Sequence, residues 1–149
     1  MTVNTEVTVG DRELTITRVF DAPRALVFDA WAEPKHLMRW FAPNNFTLPV
    51  CEMDFRAGGK FRFCMRGLGN DHWVNGVYRE IVKPERIVWT GTMEHDSNEI
   101  LTAVTFADLG GKTRVTVHQT YSIETDSTRG ARQGWTETLD HLAEFLAAA

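Results

Sequence analysis

Residues 53–67 read MDFRAGGKFRFCMRG. Two glycines separate two runs of alternating character, and a second cysteine lies just upstream at Cys51. The pattern admits a phosphate-cradling glycine loop, a disulfide-stapled hairpin, or a plain hairpin forming one wall of a larger sheet. A phosphate loop needs its glycines to lead into a helix, whose N-terminal N–H groups meet the anion. Here Gly58 and Gly59 lead into KFRFCMR, which alternates with the period of a strand, and no Lys-Ser/Thr pair follows. The disulfide can be tested by register, because facing residues of a hairpin share one sheet face. Apolar positions fall at Cys51, Met53 and Phe55 upstream and at Phe61, Phe63 and Met65 downstream. Pairing Phe55 with Phe61 and Met53 with Phe63 matches them across an Ala-Gly-Gly loop, with Gly supplying the positive φ. Cys51 then faces Met65, while Cys64 falls on the other face with Arg62 and Arg66. Two thiols kept apart suit a reducing compartment. The stretch is a hairpin with an apolar inner face and a solvated, Arg-rich outer one.

Strands of the same kind surround it. FTLPVCEMDF, KFRFCMR, WVNGVYREIV, RIVWTGTM, ILTAVTFAD and TRVTVHQTY are separated by AGG, LGND, KPE, EHDSN and LGGK, each short enough for a hairpin. Six such strands make an antiparallel meander. A first strand, RELTITRVFD, precedes two short helices: DAPRALVFDAW, with Asp21 as N-cap, and EPKHLMRWF, restarting at Pro34. The last element, STRGARQGWTETLDHLAEFLAAA, is one amphipathic helix with Ala131, Trp135, Leu139, Leu142 and Leu146 on a single face. Ser127 or Asp126 is its expected N-cap. The order is β-α-α-β6-α, an α+β domain over residues 12–149 behind a flexible N-terminal segment, residues 1–11. The long helix must cover the otherwise bare sheet face.

The chain has 149 residues and is 43% hydrophobic, enough for a core without disulfides or metals. Five Trp and nine Phe exceed what a core of this size usually needs, and surplus aromatics often line a cavity. The net charge of −4 is spread without a basic block, which argues against nucleic acid as partner. No apolar run reaches the roughly 18 residues of a membrane span, and the N-terminus lacks the apolar core of a secretory signal. A cytoplasmic protein is expected.

Five separated motifs, FDAPRALVFDAWAEPKHLMRWF, MDFRAGGKFRF, GVYREIVKPERIVWT, AVTFADLGGKTRVTV and GWTETLDHLAEFL, follow one family's order across residues 12–147. The chain resembles the single-domain bacterial proteins similar to the C-terminal domain of the activator of heat-shock protein 90 ATPase, within the START/Bet v 1-like (SRPBCC) superfamily. The resemblance implies a helix-grip fold, a curved antiparallel sheet around the C-terminal helix with a cavity between them. Superfamily members include lipid carriers, hormone receptors, aromatase/cyclases and co-chaperones, so fold alone does not choose a function.

Strand phase and helix face give the cavity-facing candidates: Met53, Phe55, Phe61, Phe63, Met65, Ile87, Trp89, Val104, Phe106, Val115, Val117 and Trp135. In WVNGVYREIV either Val74, Tyr78 and Glu80 or Trp73, Val77 and Ile81 point inward. Gly76 leaves space in the first set, which favours Tyr78, whose hydroxyl would offer a ligand a polar handle. Gly130 and Gly134 each cost the last helix about 0.8–1 kcal/mol relative to Ala. Close backbone packing is the expected compensation, room at a cavity mouth the alternative. Arg18, in an apolar phase, is paired in this reading with Glu80. Trp40, Phe41 and Leu48 are read as exposed apolar residues that could serve a homodimer contact.

His36, His72, His95, His118 and His141 are scattered without metal-ligand spacing, and no nucleophile elbow or Cys/His signature appears. No catalytic residue, metal or cofactor is expected. The leading expectation is a binding module for a small apolar or aromatic molecule. A cyclase- or hydrolase-type enzyme would need converging polar groups such as Arg18, Tyr78, Glu80 or Gln119. A co-chaperone-like partner would need an apolar patch on the outer face, where Arg62, Arg66 and either Thr102 or Thr105 and Thr116 look solvated.

Overall fold

The structure, a computed structural model, describes residues 5–94, 96 and 98–148. Eight strands form one antiparallel sheet: β1 (Thr5–Gly10), β2 (Glu13–Phe20), β3 (Phe46–Met53), β4 (Lys60–Gly67), β5 (Asn70–Val82), β6 (Arg86–Met93), β7 (Ile100–Asp108) and β8 (Thr113–Tyr121). They lie in the order β1-β2-β8-β7-β6-β5-β4-β3. The meander from β3 to β8 is therefore continuous, and β2 closes against the last strand. Between β2 and β3 come α1 (Arg24–Ala32) and α2 (Pro34–Trp40), and α3 (Asp126–Ala147) ends the fold. This is the expected α+β helix-grip architecture with one strand more. Residues 5–10, assigned from sequence to a flexible segment, pair with β2 from Thr5–Arg18 to Gly10–Glu13. That strand is mostly exposed, so its alternation carried little hydrophobic signal.

Period-2 patterning explains the inner face. Leu14, Ile16, Arg18 and Phe20 share a phase of β2, and all four are buried. Val104 and Phe106 of β7 and Val115 and Val117 of β8 continue the same floor, each no more than 2% exposed. On α3, Leu139 and Leu142 are fully buried and Trp135 nearly so, the spacing expected of a helix that buries one stripe. The helix is capped by Thr125 rather than by Ser127 or Asp126. Its Oγ1 accepts from the Thr128 N–H, and the Thr128 hydroxyl accepts from the Thr125 N–H at 2.8 Å, a reciprocal box that satisfies two orphan donors. At the other end of the chain, Pro23 rather than Asp21 occupies the N-cap of α1.

The quoted hairpin keeps its expected faces but not its expected register. Met53 faces Phe61 and Cys51 faces Phe63, two residues from the anticipated pairing, and the loop lengthens to Asp54–Gly59. A shift of two preserves the phase, so the apolar side chains still meet. Gly58, at φ 85°, donates to the Tyr78 carbonyl at 2.7 Å, which ties the longer loop to β5. Cys51 and Cys64 are free thiols on opposite faces, as the register requires.

Three further expectations are corrected. Trp40, Phe41 and Leu48 are buried, at 2%, 8% and 2% exposure, because α2 turns its aromatic end into the core. Trp40 Nε1 donates to the Ala30 carbonyl at 3.0 Å, which fixes α2 against α1. Arg18 pairs with Asp140 on α3, while Glu80 accepts from Arg86 Nε at 2.6 Å on the outer face. A β-bulge between Tyr78 and Glu80 resolves the ambiguity in β5. Val74, Gly76 and Tyr78 face inward before the bulge, and Ile81 faces inward after it, so each alternative holds for part of the strand.

Candidate functional site

A cavity of about 360 Å³ lies between the inner face of the sheet and the first half of α3. Its floor is Phe61, Phe63 and Met65 of β4, Val74 of β5 and Trp89 of β6. Ile100 and Thr102 of β7 and Gln119 of β8 extend the floor, Phe41 and Pro43 close one end, and Met93 lies at the end of β6. The roof is α3, through Gly130, Ala131, Gly134, Trp135 and Thr138. None of these described residues is charged.

The floor is shaped by a pair of facing glycines. Gly76 and Gly91 are cross-strand partners, and the Phe61 ring packs over them. The space expected at Gly76 is thus occupied by an aromatic ring, which stacks on Phe63 at 4.8 Å between centroids. On the roof the glycines act differently. A β-carbon on Gly130 or Gly134 would meet nothing within 4 Å, so close backbone packing is not what these residues allow. They open onto the cavity, and the helix carries their propensity cost to leave that volume empty.

A second, smaller chamber of about 20 Å³ lies behind the first and shares Phe41, Phe61, Phe63 and Trp89 with it. Trp31 of α1 and Tyr78 line it. Trp31 is a hub of the aromatic cluster, stacked on Trp135 at 6.1 Å and edge-on to Trp40 at 4.8 Å. Its indole N–H is buried with no hydrogen-bond partner among the described residues. Tyr78 packs against Phe55 and Phe61 at 5.1 and 5.2 Å. Burial pushes its phenol above the usual range, with the nearby Cys51 thiol adding to the effect, so the hydroxyl stays protonated at neutral pH. Burial also pushes the Cys51 thiol up to about 12, which makes it a poor nucleophile.

Of the residues selected from sequence, Phe61, Phe63, Met65, Trp89 and Trp135 line the main cavity, and Tyr78 lines the inner chamber. Val104, Phe106 and Val117 are fully packed core on the same sheet face, beyond the cavity's reach. Phe55 is packed edge-on against Phe28, 6.0 Å away, and Met53 lies against the core beside it. Inward phase does not distinguish core from cavity wall, since that depends on where α1, α2 and α3 cover the sheet. Of the two alternatives for the solvated face, Thr102 is the one that the structure excludes. It shares parity with Val104 and Phe106, and it is 1% exposed on the inner side. Gln119 shares parity with Val115 and Val117 and donates through Nε2 to Thr102 Oγ1 at 2.9 Å. Counting parity from Val104 finds the first, and counting from Val117 finds the second.

Among the described residues no three His, Cys, Asp or Glu side chains converge as metal ligands do. His95 lies outside the described residues. His141 is engaged in holding the α2–β3 loop, with its ring nitrogens 2.6 Å from the Ala42 carbonyl and 2.7 Å from Asn44 Oδ1. No described helix is long and apolar enough to cross a membrane.

A curved antiparallel sheet gripping one long helix over an aromatic cavity defines the helix-grip class. The sequence matches the family described as Activator of Hsp90 ATPase homolog 1-like protein over residues 21–147, and the chain belongs to that family. Among solved structures it is similar to protein CV1439 from Chromobacterium violaceum, at 27% identity and TM-score 0.84 over 89% of this chain and 95% of that one. A putative uncharacterized protein from Rhizobium leguminosarum is 30% identical with TM-score 0.76, each chain covered in full. Protein Ms6760 from Mycobacterium smegmatis, at 23% identity, shares the fold with TM-score 0.85 over 99% of both chains. No curated protein matches the chain.

Proposed function

We propose that this protein binds a small apolar or aromatic molecule in the cavity beneath α3. One observation carries the reading: α3 places two glycines over about 360 Å³ of aromatic-walled space that no described residue fills. A space of this size falls in the ordinary range of ligand pockets, about 300–1,000 Å³. Burying apolar ligand surface there gains about 25 cal/mol per Å² before the costs of association. The described lining contains no titratable side chain that could carry acid–base chemistry, so binding fits it better than catalysis does.

The test is a thermal-shift series against sterols, fatty acids, flavonoids and small aromatic polyketides, run on the parent protein and on Gly130→Leu and Gly134→Leu. A ligand at 100 times its Kd adds about 2.7 kcal/mol of stability. For a domain of this length that is a rise of roughly 5–10 °C. The expected result is a saturable shift in the parent that the two filled variants lose while remaining folded. A shift that survives both substitutions would place binding elsewhere, and a flat panel would count against a ligand of these classes.

A further inference from the structure

Of the polar side chains that line the cavity, Thr92 stands on β6 and Thr138 on α3, while Thr102 and Gln119 lie together where β7 meets β8. Thr102 and Gln119 are cross-strand partners and are 1% and 8% exposed. They stand in a phase otherwise filled by Val104, Phe106, Val115 and Val117. Gln119 Nε2 donates to Thr102 Oγ1, so the hydroxyl serves as acceptor and its own hydrogen remains available. Gln119 Oε1 has no hydrogen-bond partner among the described residues. One donor and one acceptor therefore lie side by side in the cavity wall. The Thr138 hydroxyl across the cavity is already committed to the Gly134 carbonyl at 2.7 Å.

A ligand that covers these groups without pairing them carries the cost of their desolvation, so this corner favours one that supplies both complements. A hydroxyl does so with one atom, donating to Gln119 Oε1 while accepting from Thr102. A carboxylate can accept from Thr102 but sets its charge against Gln119 Oε1, and no described cation lines the cavity to offset its desolvation. An ammonium group lacks a counter-charge in the same way. Size sets the remaining limit. An apolar cavity of about 150 Å³ holds a single benzene, so about 360 Å³ accommodates about two or three rings.

We infer, resting on the cavity-binding reading above, that the ligand is an uncharged molecule of this size whose hydroxyl is read by Gln119 and Thr102. The pair then serves as a specificity element that separates neutral hydroxylated compounds from plain hydrocarbons and from acids.

The test compares 2-naphthol, 2-methylnaphthalene and 2-naphthoate at pH 7, with Kd read from NMR titrations of the tryptophan indole N–H signals. The methyl group is close to a hydroxyl in size but makes no hydrogen bond. The expected order is 2-naphthol tighter than 2-methylnaphthalene by about tenfold, with no saturable binding of 2-naphthoate. Gln119→Met and Thr102→Val should each bring 2-naphthol down to the 2-methylnaphthalene level. 2-Methylnaphthalene should still saturate with both variants, no more weakly than with the parent, which reports that the cavity remains formed. Equal binding of 2-naphthol and 2-methylnaphthalene to the parent would overturn this inference and leave the cavity reading standing. Binding of 2-naphthoate as tight as that of 2-naphthol would overturn the charge selection. If none of the three saturates, the cavity reading falls for ligands of this size, and this inference falls with it.

Discussion

Phe61 rests on Gly76: a β-carbon at residue 76 would stand 2.2 Å from the ring's Cζ and 2.4 Å from the Thr90 carbonyl oxygen. Gly91, directly across the β5–β6 pair, would bring a β-carbon 3.5 Å from the same ring atom. The two glycines form the seat of the ring that floors the cavity. Gly76→Ala is therefore expected to cost about 1–3 kcal/mol, the range of overpacked cores. Trimming the ring should not restore stability, because the Thr90 carbonyl is backbone and stays in place. Urea unfolding of Gly76→Ala with and without Phe61→Leu decides the matter. Recovery in the double variant would mean that the ring, not the backbone, sets the limit.

The glycines of α3 predict the opposite sign. Neither Gly130 nor Gly134 has a positive φ, and a methyl on either meets nothing. Replacing Gly by Ala inside a helix gains about 0.8–1 kcal/mol per site. Gly130→Ala/Gly134→Ala should thus unfold at higher urea than the parent and melt a few degrees later. Ligand affinity should fall at the same time, since the methyl groups take volume from the cavity. A double variant no more stable than the parent would show that this stretch of α3 gains nothing from helix propensity.

The difference between these two pairs of glycines was not legible in the sequence. Both stand within periodic elements, and only the placement of other chain segments decides whether a glycine is a seat or an opening. The β-meander, the two short helices and the amphipathic α3 were legible, because alternation and the spacing of Trp135, Leu139 and Leu142 report burial directly. The bulge after Tyr78 was not, since one extra residue inverts phase without changing composition. The β3–β4 register slipped by two because parity constrains faces and says nothing about loop length. The cavity walls were half legible. Phe61, Phe63 and Trp135 are there by phase alone, whereas Val104 and Val117 share that phase and are packed in the core. Arg18 stood out as a charge in an apolar phase, but its partner lies more than a hundred residues away on a helix face that strand phase cannot reach.

That partner is Asp140. The Arg18 side chain is 10% exposed and Asp140 is 48% exposed, so the pair joins a desolvated cation to a half-solvated carboxylate. Removing the carboxylate leaves the buried charge unpaired, which is the costly direction. Asp140→Ala is expected to destabilise by about 1–3 kcal/mol, the scale of a lost charge-assisted hydrogen bond. Arg18→Met, which removes the charge and keeps an apolar stem, should cost less. Combining the two should cost no more than Asp140→Ala alone. A double variant whose loss equals the sum of the singles would show that the two side chains act independently.

Alkaline stability follows from the buried acids. The Cys51 thiol is raised by burial from an ordinary 9.0 to about 12, and burial raises Cys64 and Tyr78 as well. Between those values the unfolded chain has lost the Cys51 proton that the folded chain still holds. The contribution of Cys51 is therefore complete below about pH 9 and declines as pH rises toward about 12. Midpoints of urea unfolding measured across that window should fall more steeply for the parent than for Cys51→Ala, whatever the variant's stability at pH 7. Alkylation by iodoacetamide at pH 8 offers a second readout. The folded protein should react more slowly than the same chain in denaturant, where both thiols return to ordinary behaviour. Parallel pH slopes for the parent and Cys51→Ala would show that this thiol titrates alike in the folded and unfolded chains.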